Sequence, residues 1–451
     1  MSRAHRFKRL LYFAGLAVGV LLFVKSAWFY VMAPPGTGQD AGDAAADVAM
    51  RRTYLLRRVA NKEFGTADMP SFIASPYREE LAIATLSMTT VALTNLSYLQ
   101  PGDRLANRDA VRVMLSRMLS GEIRRYDVLW WGEDAIESLE GANGHAGYLG
   151  HLNLMLGCYF LLGAQDEDMR RLFQRVSETL ARRLTESGSF SAESFPGWTY
   201  TADNVVVILS LRLHDRTIEP AYADLIRGWL AFSRERLLDP DSGMLRYHVA
   251  GSGQASGTAR GVLQAWNSMW LPLIDEEFSR DQYRKMSDSL LARSPFGNFA
   301  AIREYPEGHS GPTDLVSGPL IFGLSPSATG FAMGGAALWN DRATLTGLLR
   351  TAEAVGMTVS SAGGRRYLFA PLPGDAALLA ARTMTRWDNR FLAREPGRSA
   401  STALGQSQCR CRSAHWRGGA CLPVERDPLG KSRPSVSHPC IIPARNERDP
   451  A

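Results

Sequence analysis

Two kinds of segment alternate along most of this chain, and the alternation limits what it can fold into. One kind is apolar on every side: GHLNLMLGCYFLL, DNVVVILSLRL and GVLQAWNSMWLPLI. The other carries one apolar stripe and charge elsewhere: EDMRRLFQRVSETLARRL, YADLIRGWLAFSRERLL and RDQYRKMSDSLLARS. A helix without a polar face must be surrounded by protein, and a one-faced helix must lie outside it. Helical periodicity predicts helices near 48–62, 77–98, 106–120, 145–163, 167–186, 202–214, 218–237, 260–274, 279–293, 326–339, 341–354 and 374–385. Paired inner with outer, they make about six hairpins. The expected fold is all-α: a closed (α/α)6 toroid with inner helices around a central funnel. An open α-solenoid of stacked pairs is the alternative, but solenoids keep a fixed period and these spacings are irregular. One stretch, MTVSSAGGRRYLFAPL, predicts a β-hairpin around Gly363 and Gly364.

The two ends differ from this middle. Residues 10–32 read LLYFAGLAVGVLLFVKSAWFYVM with Lys25 as the one charge, long enough to cross a bilayer core. Arg3, Arg6, Lys8 and Arg9 precede it in a basic segment, 1–9, which the positive-inside rule keeps cytoplasmic. Trp28, Phe29 and Tyr30 suit an aromatic belt at the far headgroups. The expectation is a single-pass anchor in a cell inner membrane with the bulk of the chain periplasmic. A cleaved signal peptide, with Val31-Met32-Ala33 as cleavage site, is the alternative and puts the domain on the same side. Gly15 and Gly19 form a GxxxG pair able to pack two anchors together, so a homo-oligomer stays open. Residues 33–47 read as linker and 48–395 as the helical domain.

After about 396 the chain loses any helical or strand period and fills with Arg, Pro, Ser and Cys. Cys409, Cys411, His415, Cys421, His438 and Cys440 match no familiar zinc-finger spacing, so the tail reads as a disordered extension with no metal expected. The helical domain keeps only Cys158, so its stability must come from its core rather than from disulfides. The net charge of +6 collects before the apolar run and in the last fifty residues. The balanced middle excludes a nucleic-acid surface. No cofactor is expected.

In a toroid the site lies where inner-helix ends and their loops meet the funnel, which directs attention to polar and aromatic residues there. Trp130 and Trp131, read as a loop pair before Glu133 and Asp134, suit either a platform for a sugar ring or apolar ligand, or packing between hairpins. His145 and His151 lie among glycines at the entry to a very apolar helix, and histidine exchanges protons near neutral pH. Phe195 through Trp198 and Tyr200 lead into Asp203 and Asn204, more polar groups than one helix cap requires. Glu304 and Asp314 fall on a long Gly- and Pro-rich connection. Paired carboxylates are what acid–base chemistry needs, one protonated and one ionised. Surface salt bridging is the plainer use of both. Ser325–Ala332 reads as tight packing, and Gly251–Gly257 as a flexible loop.

At these residues the chain resembles the linalool dehydratase/isomerase family, loosely from about 50 to about 390. Tyr148-Leu-Gly-His151-Leu-Asn153 resembles that family's inner-helix histidine motif, and Ser194-Phe-Pro-Gly-Trp-Thr-Tyr200-Thr-Ala-Asp203-Asn204 the stretch that carries its two cysteines. The resemblance implies an (α/α)6 barrel. It also implies that His151 lines a site for loss or migration of a hydroxyl on a terpene alcohol. Ser194 and Asp203 stand where the family has cysteines, replacing thiols with a much weaker acid and with a carboxylate. The expected enzyme uses His151, Asp203, Glu304 and Asp314 for acid–base work, with Trp131, Trp198, Tyr200 and Trp266 as walls and His145, Ser194 and Asn204 as further contacts. Its substrate is a small molecule or a glycan. A non-catalytic binding module at the membrane surface is the reading from a different class. Convergence of His151, Asp203, Glu304 and Asp314 on one funnel separates the two.

Overall fold

Helices dominate the computed structural model, which describes residues 12–21, 23–24, 41–249, 255–294, 298–314 and 316–392. Contacts divide the chain into Met1–Ala393 and Arg394–Ala451. The cysteine-rich tail, the basic segment 1–9 and most of 22–40 lie outside the described residues. Of the apolar run 10–32, Tyr12–Leu21 forms helix α1. The helices that follow are α2 (Ala41–Val59), α3 (Tyr77–Leu99), α4 (Arg104–Met118), α5 (Gly121–Trp131), α6 (Ala146–Leu161), α7 (Glu167–Glu186), α8 (Thr201–Thr217), α9 (Ala223–Phe232), α10 (Gly261–Trp270), α11 (Glu276–Leu290), α12 (Pro326–Leu338), α13 (Arg342–Gly356) and α14 (Leu372–Arg382).

The all-round apolar segments are the buried ones. Every residue of α6 is buried, and α3, α8, α10 and α12 are buried over most of their lengths. Among the described residues only α3 is long and apolar enough to cross a membrane, and 89% of its apolar window is enclosed by the protein. Contacts run from α3 to α6, α8, α10, α12 and α14 in turn, and α14 returns to α3. The amphipathic helices lie against this series: α4 on α3, α7 on α6, α9 on α8, α11 on α10 and α13 on α12. Helix α7 shows why. Asp166 caps it by accepting from the Met169 amide, and its one apolar stripe (Met169, Phe173, Val176, Leu180, Leu184) is buried. Helix α14 has no such successor among the described residues; α2, from the other end of the sequence, packs on it instead.

Several local expectations need correction. Ala41–Asp47, read as linker, are the first turns of α2. Trp130 and Trp131 lie not in a loop but in the last turn of α5, which Gly132 ends at φ 75°. The hairpin at Gly363–Gly364 forms as expected from β7 (Thr358–Ser361) and β8 (Gly364–Tyr367), strands that follow the six below in chain order. Two small antiparallel sheets were not foreseen: β1 (Thr199–Tyr200), β2 (His248–Val249) and β3 (Ala255–Ser256); then β4 (Leu291–Arg293), β5 (Ala300–Arg303) and β6 (Leu324–Ser325). Their strands are too short to display a period in sequence.

A buried ion cluster joins the two ends of the domain. Asp47 on α2 accepts from Arg51 at 3.0 Å, from Arg365 on β8 at 2.8 Å and from Arg382 on α14 at 2.9 Å. Arg51 also reaches Glu353 on α13 at 2.8 Å and lies over the Tyr367 ring. Burial alone would raise the Asp47 carboxyl; Arg382, Arg365 and Arg51 together hold it below its ordinary value. Removing Asp47 leaves three guanidinium groups facing one another without their common anion. Asp47→Ala is expected to cost about 3–5 kcal/mol of unfolding free energy in urea titrations. Asp224→Ala, which breaks an exposed pair with Arg227, should leave the midpoint unchanged.

Candidate active site

Three inner helices begin with or near a polar group that faces inward. Helix α3 carries Glu79 and Glu80 in its first turn. Glu79 accepts from the Ser75 hydroxyl at 2.9 Å. The carboxyl of Glu80, one step around, has no hydrogen-bond partner among the described residues. Burial pushes its carboxyl up to about 8, and the charges of Asp203 and Asp314 add to the rise. Helix α8 begins just ahead of Asp203, which burial pushes up to about 6 against the opposing hydrogen bond of Ser194. Both carboxyls are enclosed by protein yet keep some accessible surface, so each faces an interior hollow rather than packed atoms.

His151 enters from α6. A Cβ on Gly150 would lie 2.9 Å from Val207 Cγ2, so glycine lets α6 and α8 approach closely here. The His151 Nδ1 lies 2.8 Å from Ser87 Oγ of α3, and its ring meets the edge of Trp266 with centroids 6.1 Å apart. Burial pushes the imidazole down to about 4, so it is neutral at ordinary pH. Trp266 is fixed by a bond to the Ala202 carbonyl at 3.2 Å and packs on Phe331. Tyr126 of α5 is 2% exposed, and its hydroxyl has no partner among the described residues. Burial raises it, with Glu80 and Asp203 next in effect; Tyr200 is raised by burial, then by Asp203, Asp314 and Glu80. These groups therefore share one space.

The loop before α8 is held by its own polar groups. Ser194 Oγ accepts from the Tyr200 amide at 3.2 Å. Asn204 bonds both the amide and the carbonyl of Ala192, at 2.8 and 3.0 Å, and the Tyr200 carbonyl at 2.9 Å. Its amide group is fully engaged in fastening the loop. Trp198, 55% exposed, stacks nearly parallel to Tyr200 and tilts against His248.

Glu304 and Asp314 meet through Arg260. Glu304 is fully buried and accepts from Arg260 Nε at 2.7 Å and from the Val262 amide at 3.1 Å, which occupies both its oxygens. Asp314 accepts from Arg260 Nη1 at 2.6 Å and from the Tyr247 hydroxyl at 2.9 Å. Burial works to raise Asp314, but Arg260 and the Ser317 amide hold it below its ordinary value. It acts on Glu80 as a fixed negative charge. His145 and Trp131 lie in a separate cluster. His145 Nδ1 is 3.0 Å from Asp127, its Nε2 is 3.1 Å from Glu133, and the Trp131 ring tilts against it with centroids 4.7 Å apart. Neither ring nitrogen is left for a ligand. Among the described residues no group of three or more His, Cys, Asp or Glu is arranged to hold a metal ion.

A histidine on α6 beside the start of α8, with Ser194 bonded to Asp203, places both resembling motifs on one hollow. The family model of linalool dehydratase/isomerase matches residues 150–369. Over these residues the chain belongs to the linalool dehydratase/isomerase family. The matched stretch of this linalool dehydratase/isomerase domain takes in His151, Ser194, Asp203, Trp266, Glu304 and Asp314, and stops short of Ser87, Glu80 and Tyr126.

Sequence reasoning missed those three, and Tyr247 and Arg260 with them. Acidic residues in a first helical turn are the ordinary complement to the helix dipole, so Glu79 and Glu80 drew no attention. The available signal was that α3 has no polar face: a carboxylate on such a helix is carried inside with it. The consequence for stability has a definite sign. An unfolded chain releases the Glu80 proton near its ordinary 4.5, whereas the folded chain holds it to about 8. Stability is therefore fully present below 4.5 and is lost as pH rises through 8. In paired melts, Glu80→Gln should match the parent near pH 4.5 and become progressively more stable than it up to about pH 8. A constant difference across that range would contradict the placement of Glu80.

Proposed function

We propose that this protein is an acid–base lyase or isomerase of the linalool dehydratase/isomerase kind, acting on a small apolar alcohol. The observation that carries the reading is the split between two neighbouring carboxyls. With Glu80 at about 8 and Asp203 at about 6, one holds its proton at neutral pH and the other has lost it. Glu80 donates its proton to the substrate hydroxyl, and the C–O bond breaks as water leaves. Asp203 takes a proton from the adjacent carbon, and that C–H electron pair becomes the new C=C bond. Return of water to another carbon gives isomerisation. Glu80 ends as carboxylate and Asp203 as acid, so a proton must pass back between them, through water, before the next turnover.

The surroundings favour the charge that develops. Positive character on carbon is met by the Asp203 and Asp314 carboxylates and by the faces of Tyr200 and Trp266. Asp203 here performs as a carboxylate what a thiol position performs in the family that it resembles. A binding module gives no reason for a carboxyl held protonated beside an ionised one. The series of helix contacts that returns to α3 supports an (α/α)6 toroid with this hollow as its funnel. The basic segment and apolar run, with the side chains of α1 exposed, support an anchor in the inner membrane and a periplasmic domain.

The test is a pH–rate profile for dehydration of terpenoid alcohols by the full chain in detergent. The expected bell has limbs near 6, where Asp203 ionises, and near 8, where Glu80 loses its proton. Asp203→Asn should lower the rate by about 10²–10⁴. It should also move the upper limb of the residual activity to lower pH, because Glu80 loses a neighbouring charge. Thermal stabilisation by glycans and not by terpenoid alcohols would replace the substrate class.

A further inference from the structure

We infer that Ser87 fixes the tautomer of His151, so that the ring accepts at Nδ1 and presents an Nε2–H donor to the hollow. Thr85, Thr89, Thr94 and Ser97 each donate to the carbonyl four residues back, at 2.7, 2.7, 2.9 and 2.8 Å. Ser87 does not. It is fully buried, and the one hydrogen bond of its hydroxyl among the described residues is the 2.8 Å contact with His151 Nδ1.

A serine hydroxyl has a single proton and two lone pairs. If Nδ1 carried the ring proton, that proton would go to Ser87 Oγ and the serine's own proton would point at nothing. A buried donor without an acceptor is disfavoured by roughly 10- to 100-fold in population. The arrangement that leaves nothing orphaned has Ser87 donating to the Nδ1 lone pair. Burial keeps the imidazole neutral, so it owns one proton, and that proton sits on Nε2. No protein acceptor for Nε2 is present among the described residues. The donor is free for a ligand.

Ser87 follows Glu80 by two helical turns on the same face of α3, so one helix supplies the acid and sets the histidine. Under the lyase reading above, on which this second half rests, the Nε2–H bonds to one lone pair of the substrate oxygen. The other lone pair then turns toward the Glu80 proton. His151 becomes a neutral hydrogen-bond donor that orients the leaving group rather than the base. Ser87 is a positioning residue that acts through it.

The test is long-range 1H–15N correlation on the full chain with 15N-labelled histidine at pH 7, with His151→Gln to assign its signals. The expected spectrum shows a protonated Nε2 and an unprotonated, hydrogen-bonded Nδ1. Ser87→Ala should shift the ring to a mixture of tautomers and lower kcat about tenfold with KM little changed. Ser87→Thr, which keeps a hydroxyl, should restore both. A parent spectrum with the proton on Nδ1 overturns the inference whether or not any variant folds. So does a Ser87→Ala tautomer identical to the parent's. Either result leaves the pH–rate profile, and with it the lyase reading, untouched. An expected spectrum from a protein inactive on alcohols would instead retain the tautomer and remove the substrate.

Discussion

An ion is costly wherever water is scarce, and the interior of this protein is built from helices that have no polar face to bring water in. Glu80 and Asp203 are carried into that interior on α3 and α8 and cannot both ionise easily there. The same surroundings that press them toward neutrality press His151 the same way, from the other direction of charge. The result is a hollow with one protonated carboxyl, one ionised carboxyl and one neutral imidazole. That combination of protonation states follows from a single dielectric constraint.

Holding such groups close requires helices that come near one another and cannot slide apart. Glycine serves the first need at Gly150 against Val207 and at Gly157, where a Cβ would lie 2.7 Å from Leu213. Ionic contacts serve the second at the meeting of the helical domain's two ends, where Asp47 ties α2 to α14 and β8. Arg260 performs a related service beside the hollow. By neutralising Glu304 and holding Asp314, it secures the long connection before α12 and keeps one fixed negative charge in range of Glu80. Titratable groups in this protein thus divide by the partners they find. Asp47 and Asp314, each held by an arginine, sit below their ordinary value, whereas Glu80 and Asp203, which have none, sit above it.

That division explains which parts of the site were legible. His151 and Asp203 stood out because a polar residue at the start of an apolar helix is conspicuous, and both face the hollow. His145 stood out for the same reason, but Asp127 and Glu133 engage both of its nitrogens. No spacing in the sequence announces those partners. Glu304 and Asp314 were visible as carboxylates on a long loop, while Arg260, which decides their state, looked like any loop arginine. Glu80 was hidden by its resemblance to an ordinary first-turn acid, and Ser87 by the many hydroxyls of α3 that merely bond back along the helix.

The sequence by itself determined which helices are inside and which are outside, because the presence or absence of a polar face is a local property that burial must respect. It determined where α6 and α8 place a histidine and an aspartate for the same reason. Only the tertiary structure decided which helix follows which around the interior, and that α2 completes what α14 begins. It alone decided which charged groups lie within reach of one another. Electrostatic coupling depends on distance through space, and residues as far apart in sequence as Glu80, Asp203 and Asp314 acquire that distance only when the chain has folded.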